Sequence, residues 1–312
     1  MECLSSKCGY NQKITPYQQP VLIYNPAAGR LRRNPQRILQ RTTDALARAS
    51  LTPRLAPTGA PGDATRIACR AVSEGADLIL VLGGDGTINE AVNGMVHSEA
   101  TLGILPAGTA NVLAMELGLG SRLDRAIERL LHSVERRVAV GKLTSGAGAR
   151  HFLAMGGAGL DAKIVYDLKP WLKARAGKAA YWVSGLGHVT QSVANFEARI
   201  NGDKYRCGFA LASRVRNYGG DLEIARGASL LRDDFEIVIF EGSNPLRYLW
   251  YMTGVGLKQA QKMRGVHTVR AGEIELSGDA HLQIDGEYAG RMPARFEIVP
   301  DALTILAPSA YR

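Results

Sequence analysis

Leu78–Leu82 (LILVL) restricts this chain more than any other stretch, because five apolar residues run without a break into Gly83-Gly84-Asp85-Gly86-Thr87. An uninterrupted apolar run ended by glycine reads as a strand buried on both faces, the kind found in parallel sheets covered by helices. Ile88, Ala91, Val92 and Met95 then recur at helical spacing. The same strand–turn–helix order holds on either side. Val21–Tyr24 (VLIY) ends at Asn25-Pro26, and an amphipathic helix follows over 35–49 with Ile38, Leu39, Ala45 and Leu46 on one face. Leu51–Ala56 predicts a second strand, Gly62-Asp63 opens another helix, Leu102–Leu105 predicts a fourth strand, and Gly108-Thr109 begins a further helix. Such alternation specifies an α/β domain, three-layered with a mostly parallel sheet.

From about Lys142 the texture changes. Short β-type runs replace the alternation: Phe196–Ile200, Cys207–Ala212, Phe235–Phe240, Ile274–Leu276, Leu282–Ile284 and Phe296–Val299. They predict an antiparallel β-sandwich, with helical insertions near Arg175–Val193 and Pro245–Lys262. The expected organisation is a flexible leader over 1–20, an α/β domain over 21–141 and a β-sandwich over 142–299. The last strand, about 300–312, returns to the first domain.

Composition removes several classes. At 312 residues with 46% hydrophobic content, the chain can bury a core without disulfide staples or a structural metal. Cys3, Cys8, Cys69 and Cys207 have no CxxC spacing and read as reduced thiols of a cytoplasmic protein. The polar first twenty residues lack the apolar core of a signal peptide. Ala179–Phe196, the longest uncharged stretch, is broken by Gly185, Gly187, His188 and Gln191 and predicts no spanning helix. A net charge of +9 favours anionic partners. No RRM, KH, zinc-finger or helix-turn-helix pattern accompanies it, so no nucleic-acid partner is expected. GxxxxGK[ST], GxGxxG after a strand, GxSxG and HExxH are all absent.

Three strand ends carry loops suited to phosphate. In Gly83–Thr87, glycines let backbone N–H groups approach a ligand closely, and the following helix adds its partial positive charge. Asp85 beside phosphates calls for a cation between them, and Mg²⁺ bridges carboxylate and phosphate oxygens in this way. An ordinary Gly-Asp-Gly turn explains the same residues without a ligand. Leu105-Pro106-Ala107-Gly108-Thr109-Ala110-Asn111 and Asn25-Pro26-Ala27-Ala28-Gly29 are the other two loops, and Thr58 adds a contact at the same edge. Near the C-terminus, Asp285-Gly286-Glu287 places two carboxylates around a glycine. In an extended segment they would share a face and could supply a general base with its partner. A type I′ hairpin turn through Asp-Gly accounts for them equally.

NPAAG, GGDGTINEAVNG, LGILPAGTANVLA and DGE, in this order, resemble the diacylglycerol kinase catalytic-domain family, which includes sphingosine kinases and bacterial soluble lipid kinases. The likeness runs from about Val21 to Pro308. It implies an ATP- and Mg²⁺-dependent lipid kinase with the nucleotide between an α/β domain and a β-sandwich. ATP would be contacted by Asn25, Pro26, Ala27, Ala28, Gly29, Thr58, Gly83, Gly84, Asp85, Gly86, Thr87, Ile88, Asn89, Glu90, Gly108 and Thr109. Glu287 matches the proton acceptor for the lipid hydroxyl, and Asp285 would support it through water and Mg²⁺. A structural metal is implied at Leu230–Phe235, with the Asp233 side chain and the carbonyls of Leu230 and Phe235. Two departures are visible: Asp233-Asp234 stands where the family usually reads Asp-Gly, and Ala28 stands where many members carry Ser.

Lys163–Tyr181 interleaves Lys163, Lys169, Lys173, Arg175 and Lys178 with Tyr166, Trp171 and Tyr181. Cations mixed with amphipathic aromatics suit an anionic membrane surface. A solvated helix face is the plainer reading. The expectation is a cytoplasmic, peripherally membrane-associated kinase acting on a diacylglycerol-like lipid, with a homodimer possible. A soluble-substrate enzyme like NAD kinase and a non-catalytic nucleotide-binding regulator are the alternatives.

Overall fold

The first half of the chain alternates strand and helix. β1 (Pro20–Tyr24), α1 (Pro35–Ala47), β2 (Arg54–Pro57), α2 (Asp63–Ser73), β3 (Leu78–Gly83), α3 (Asp85–Met95) and β4 (Thr101–Pro106) lead to two helices, α4 (Val112–Glu116) and α5 (Leu123–Leu131). This computed structural model describes residues 17–167, 195–218, 222–257 and 259–312. β3 sits between β1 and β4, with β2 outside β1, and all four are parallel. Every residue of β3 and β4 is buried, as the unbroken apolar run requires. α2 packs with α3 and α1 with α5, so the helices cover the sheet as two pairs.

The second half is antiparallel. It contains β5 (Ser133–Ser145), β6 (Gly148–Phe152), β7 (Met155–Gly159), α6 (Leu160–Asp167), β8 (Phe196–Ile200), β9 (Asp203–Ser213), β10 (Asn217–Tyr218), β11 (Leu222–Glu223), β12 (Phe235–Glu241), α7 (Pro245–Gly256), β13 (Val266–Ala271), β14 (Glu273–Ser277), β15 (His281–Ile284), β16 (Glu287–Arg291) and β17 (Ala294–Pro308). β17 joins the halves. It runs antiparallel to β5 from Ala294–Ser145 to Pro308–Ser133, bulging between Val299 and Leu303. Its far end, Thr304-Ile305, pairs parallel with β4. A second core forms here around Phe152, which stacks on Phe235 at 5.8 Å and meets Phe296 edge-on at 5.6 Å. The fold is thus an α/β unit continued by an antiparallel β-sandwich.

Several boundaries differ from the sequence expectation. β2 begins only after Pro53, whose ring cannot donate to a ladder. The helix expected from Gly108-Thr109 starts at Val112. Asn111 adopts a left-handed backbone (φ 50°), and its side chain accepts from Gly108 N–H at 2.8 Å while donating to Gly108 C=O at 3.0 Å, which closes a turn instead. Of the leader expected over 1–20, residues 1–16 lie outside the described residues and Pro20 already opens β1; the insertion near Arg175–Val193 and the basic-aromatic residues beyond Asp167 also lie outside them. Among the described residues no helix is long and apolar enough to cross a membrane.

Candidate active site

Three loops meet at the carboxyl ends of β1, β3 and β4, where ligands of open α/β sheets bind. Asn25 organises the first. Its side-chain oxygen accepts from Ala27 N–H at 2.9 Å, and its amide donates to Thr87 Oγ1 at 3.3 Å. Gly83 C=O in the second loop accepts from the N–H groups of Ala107 and Gly108 in the third, at 2.8 and 3.1 Å. Arg30 N–H ties the first loop to Ala107 C=O at 3.1 Å. The backbones touch: a Cβ on Gly108 would stand 2.6 Å from Gly84 Cα, so only glycine lets the two loops approach this closely. Gly29 faces Thr109 Oγ1, and Thr58 N–H donates to Tyr24 C=O at 2.9 Å on the neighbouring strand end. Asn25 to Gly29, Thr58, Gly83 to Thr87, Gly108 and Thr109 are therefore drawn to one edge.

The side chains of Ile88, Asn89 and Glu90 are engaged with other elements. Ile88 is buried in the main core. Asn89 donates to Asp285 Oδ2 at 2.9 Å and to His151 C=O at 3.0 Å. Glu90 accepts from Ala64 N–H at 3.1 Å, in the first turn of α2. Helical periodicity explains this: only the first turn of α3 points at the loops, and the residues after it turn toward neighbouring elements.

Asp85 opens α3. Its Oδ1 accepts from Leu113 N–H at 3.4 Å, so the carboxylate faces the start of α4. Burial pushes its carboxyl up to about 6; the charge of Asp285 adds to this, and the N–H groups of Leu113 and Val112 oppose it. A carboxylate beside glycine loops of this kind could serve as an oxygen donor to Mg²⁺ together with a nucleotide.

The DGE segment is a hairpin. Ile284 pairs with Glu287, and Asp285 (φ 48°) and Gly286 (φ 79°) form the two-residue turn between β15 and β16. Asp285 and Glu287 therefore do not share a strand face, which corrects the extended reading. Asp285 points inward and is buried. Its Oδ1 accepts from Ala154 and Met155 N–H, both at 2.9 Å, and its Oδ2 from Leu153 N–H at 3.0 Å and from Asn89. Those four donors reach the two oxygens of the carboxylate, so Asp285 braces the β6–β7 connection. Burial still raises its carboxyl, against the pull of these donors.

Glu287 projects the other way. Its Oε1 lies over Gly86, where any Cβ would overlap it, and its Oε2 is 3.3 Å from the Arg150 guanidinium. The hairpin thus sets a half-exposed carboxylate against the first turn of α3. Arg150, on β6, was not visible as a site residue in the sequence; only the pairing of β6 with β5 brings it there.

The groups expected to hold a structural metal have other surroundings here. Leu230 C=O accepts from the Arg214 guanidinium at 2.8 Å, Phe235 enters β12 opposite Ala271, and Asp233 is exposed on a groove with Arg199, Glu273 and Arg295. Among the described residues no cluster of three His, Cys, Asp or Glu could hold a metal.

Residues 19–143 match the diacylglycerol kinase catalytic domain, and residues 155–307 match the YegS C-terminal NAD kinase beta sandwich-like domain. A diacylglycerol kinase of Staphylococcus saprophyticus is 29% identical over 296 residues, covering 92% of this chain and 95% of the relative. One from Bacillus subtilis is 28% identical, covering 88% and 91%. A crystal structure of a diacylglycerol kinase from Bacillus anthracis is 25% identical with a TM-score of 0.77, covering 96% of this chain and all of that one. Another solved chain from that organism, 22% identical with a TM-score of 0.80, likewise shares the fold. Matched by both domain models and aligned with such relatives over most of its length, the chain belongs to the diacylglycerol kinase catalytic-domain family of lipid kinases.

Proposed function

We propose that the protein transfers the γ-phosphoryl group of ATP, with Mg²⁺, to a hydroxyl of a diacylglycerol-like membrane lipid, and that Glu287 is the general base. The observation that carries this is the seat of Glu287 Oε1 on Gly86, which puts a base against the glycine loop that would hold the phosphates. Phosphoryl transfer asks mainly for positioning and charge neutralisation. Glu287 accepts the proton as the lipid oxygen bonds to the γ-phosphorus and the bond to ADP breaks. Backbone N–H groups of the loops Asn25–Gly29, Gly83–Thr87 and Gly108-Thr109 orient the phosphates. Mg²⁺, held by Asp85 together with the nucleotide, supplies charge neutralisation when bound.

A membrane-borne acceptor is supported by the surroundings of the hairpin. Tyr166, more than half exposed, packs on His281 at 4.6 Å and on Tyr288 at 4.8 Å, one residue beyond Glu287. Aromatic rings with a wet edge suit a bilayer interface, and this is the described end of the basic-aromatic segment. Peripheral association with an anionic leaflet follows from that face.

The test is transfer of labelled γ-phosphate from Mg-ATP to diacylglycerol, sphingoid bases and other lipid alcohols in mixed micelles, beside the Glu287→Ala protein. Label on one lipid, reduced about 10²–10⁴-fold in the variant, is the expected result. Full turnover by Glu287→Ala would remove Glu287 from the reaction.

A further inference from the structure

Arg214 follows β9 and is completely buried, a rare place for a guanidinium. Its backbone N–H donates to Ala154 C=O at 2.8 Å, which fixes the chain at that point. The side chain reaches under the loop before β12. Nη2 donates to Leu230 C=O at 2.8 Å and Nη1 to Arg232 C=O at 3.0 Å, while Nε has no partner among the described residues. Among the described residues its hydrogen bonds go to carbonyls and none to a carboxylate. Burial pulls it down to about 10, opposed by the charges of Asp233, Tyr311, Asp234 and Asp285, so it stays protonated at neutral pH.

We infer that the Arg214 guanidinium is a built-in cation that takes the place of a divalent ion at the Leu230–Phe235 loop. The loop turns the Leu230 and Arg232 carbonyl oxygens inward, where a donor or a cation must meet them. A planar fork with parallel N–H groups satisfies two carbonyls two residues apart, which a spherical ion would otherwise collect. A divalent ion at the same oxygens would face the guanidinium across a few ångströms of dry protein, where like charges repel strongly. Asp233, the side chain that would complete an ion's shell, points to solvent.

The cation is wired into its surroundings. Leu230 N–H donates to Tyr311 Oη at 3.0 Å, and Tyr311 donates to the buried Glu116 at 3.0 Å. Glu116, the last residue of α4, also accepts from Arg216 N–H at 2.9 Å and from its Nε at 3.2 Å. Arg214 thus sets the loop through two hydrogen bonds from a side chain of the chain itself, without an ion to gain or lose, and the loop in turn is tied to α4 through Tyr311 and Glu116. The inference does not depend on the reaction proposed above.

Metal content and thermal unfolding of the nucleotide-free protein test it. After desalting, element analysis is expected to find no retained Mg²⁺, Ca²⁺ or Mn²⁺. EDTA and millimolar Mg²⁺ or Ca²⁺ should leave the midpoint within about 1 °C, since only an ion that binds the native state shifts it. One retained equivalent, or a chelator-induced fall of several degrees that disappears in Asp233→Asn, would overturn the inference. Arg214→Asn empties the fork. Its midpoint should fall and then rise on adding Mg²⁺ or Ca²⁺, a response the parent lacks, and a variant as stable as the parent in EDTA would count against a cation being needed. If Arg214→Asn does not fold, the parent's metal content and chelator response decide alone.

Discussion

Asn89 and Asp285, 196 positions apart in sequence, meet at 2.9 Å in the interior, and that bond ties the helix after the glycine loop to the turn that carries Glu287. The same amide holds His151 C=O at 3.0 Å, and Asn93, one turn further along α3, donates to that carbonyl at 2.9 Å and accepts from His151 N–H at 2.8 Å. One face of α3 therefore registers the antiparallel half against the parallel one. The loop after β3 and the turn that carries Glu287 are thus held by a single short helix.

Asn89→Ala should loosen that joint. It leaves a buried carboxylate one donor short, a loss of about 1–3 kcal/mol, and frees the hairpin relative to α3. Urea unfolding should show the lost stability, and lipid phosphorylation should fall by more than the folded fraction accounts for. A variant with parent stability would mean that Asp285 finds its fourth donor elsewhere.

Two glycine substitutions should separate binding from chemistry. A Cβ at Gly86 meets only the tip of Glu287, a flexible side chain that can swing aside. Gly86→Ala should therefore keep stability and ATP affinity while turnover falls with the displaced base. A Cβ at Gly108 meets backbone, Gly84 Cα at 2.6 Å. Gly108→Ala must part the two loops, costing about 1–3 kcal/mol and weakening ATP binding. Calorimetric titration with a non-hydrolysable ATP analogue, beside unfolding curves, checks both.

Much of this arrangement was legible in the residues. Unbroken apolar runs located β1, β3 and β4, because a strand buried on both faces has no polar positions to confuse its period. The resemblance drew the three loops and the DGE hairpin together. What escaped depends on pairing across long separations. Four consecutive residues of β5, from Val134 to Arg137, are half-buried or exposed, and three are charged, so that stretch gives no apolar alternation. Arg150 reaches Glu287 only through the β5–β6 hairpin. Arg214 does leave a trace: an arginine directly after a fully buried run, Cys207–Ser213, must find acceptors inside. The trace says nothing of which carbonyls it finds.

Tyr311→Phe tests the anchoring of the C-terminus. The hydroxyl donates to Glu116 and accepts from Leu230 N–H, so its loss leaves two buried polar groups short of a partner. Stability should drop by about 1–3 kcal/mol, detectable in thermal unfolding, with the carboxylate of Glu116 still held by Arg216. An unchanged midpoint would show that water replaces the hydroxyl.

Asp85 should leave a signature in the pH dependence of stability. Its carboxyl sits at about 6 in the folded protein against the usual 3.8, burial being the main cause. Below 3.8 both states are protonated and the group contributes no difference. Between 3.8 and about 6 the folded state holds more protons than the unfolded chain, so this group makes stability fall as pH rises; above about 6 the loss is complete and constant. Other carboxylates act in the opposite sense, Asp234 and Glu297 among them, each held down first by its cationic partner, Arg232 and Lys142 respectively. The quantity to read is therefore the difference between the parent and Asp85→Asn, in metal-free and nucleotide-free buffer. Asp85→Asn should be relatively less stable near pH 4 and gain on the parent up to about pH 6, with a constant offset beyond. Parallel curves through that window would mean that Asp85 ionises at its ordinary value, and that the start of α4 is held by something other than a buried carboxylate.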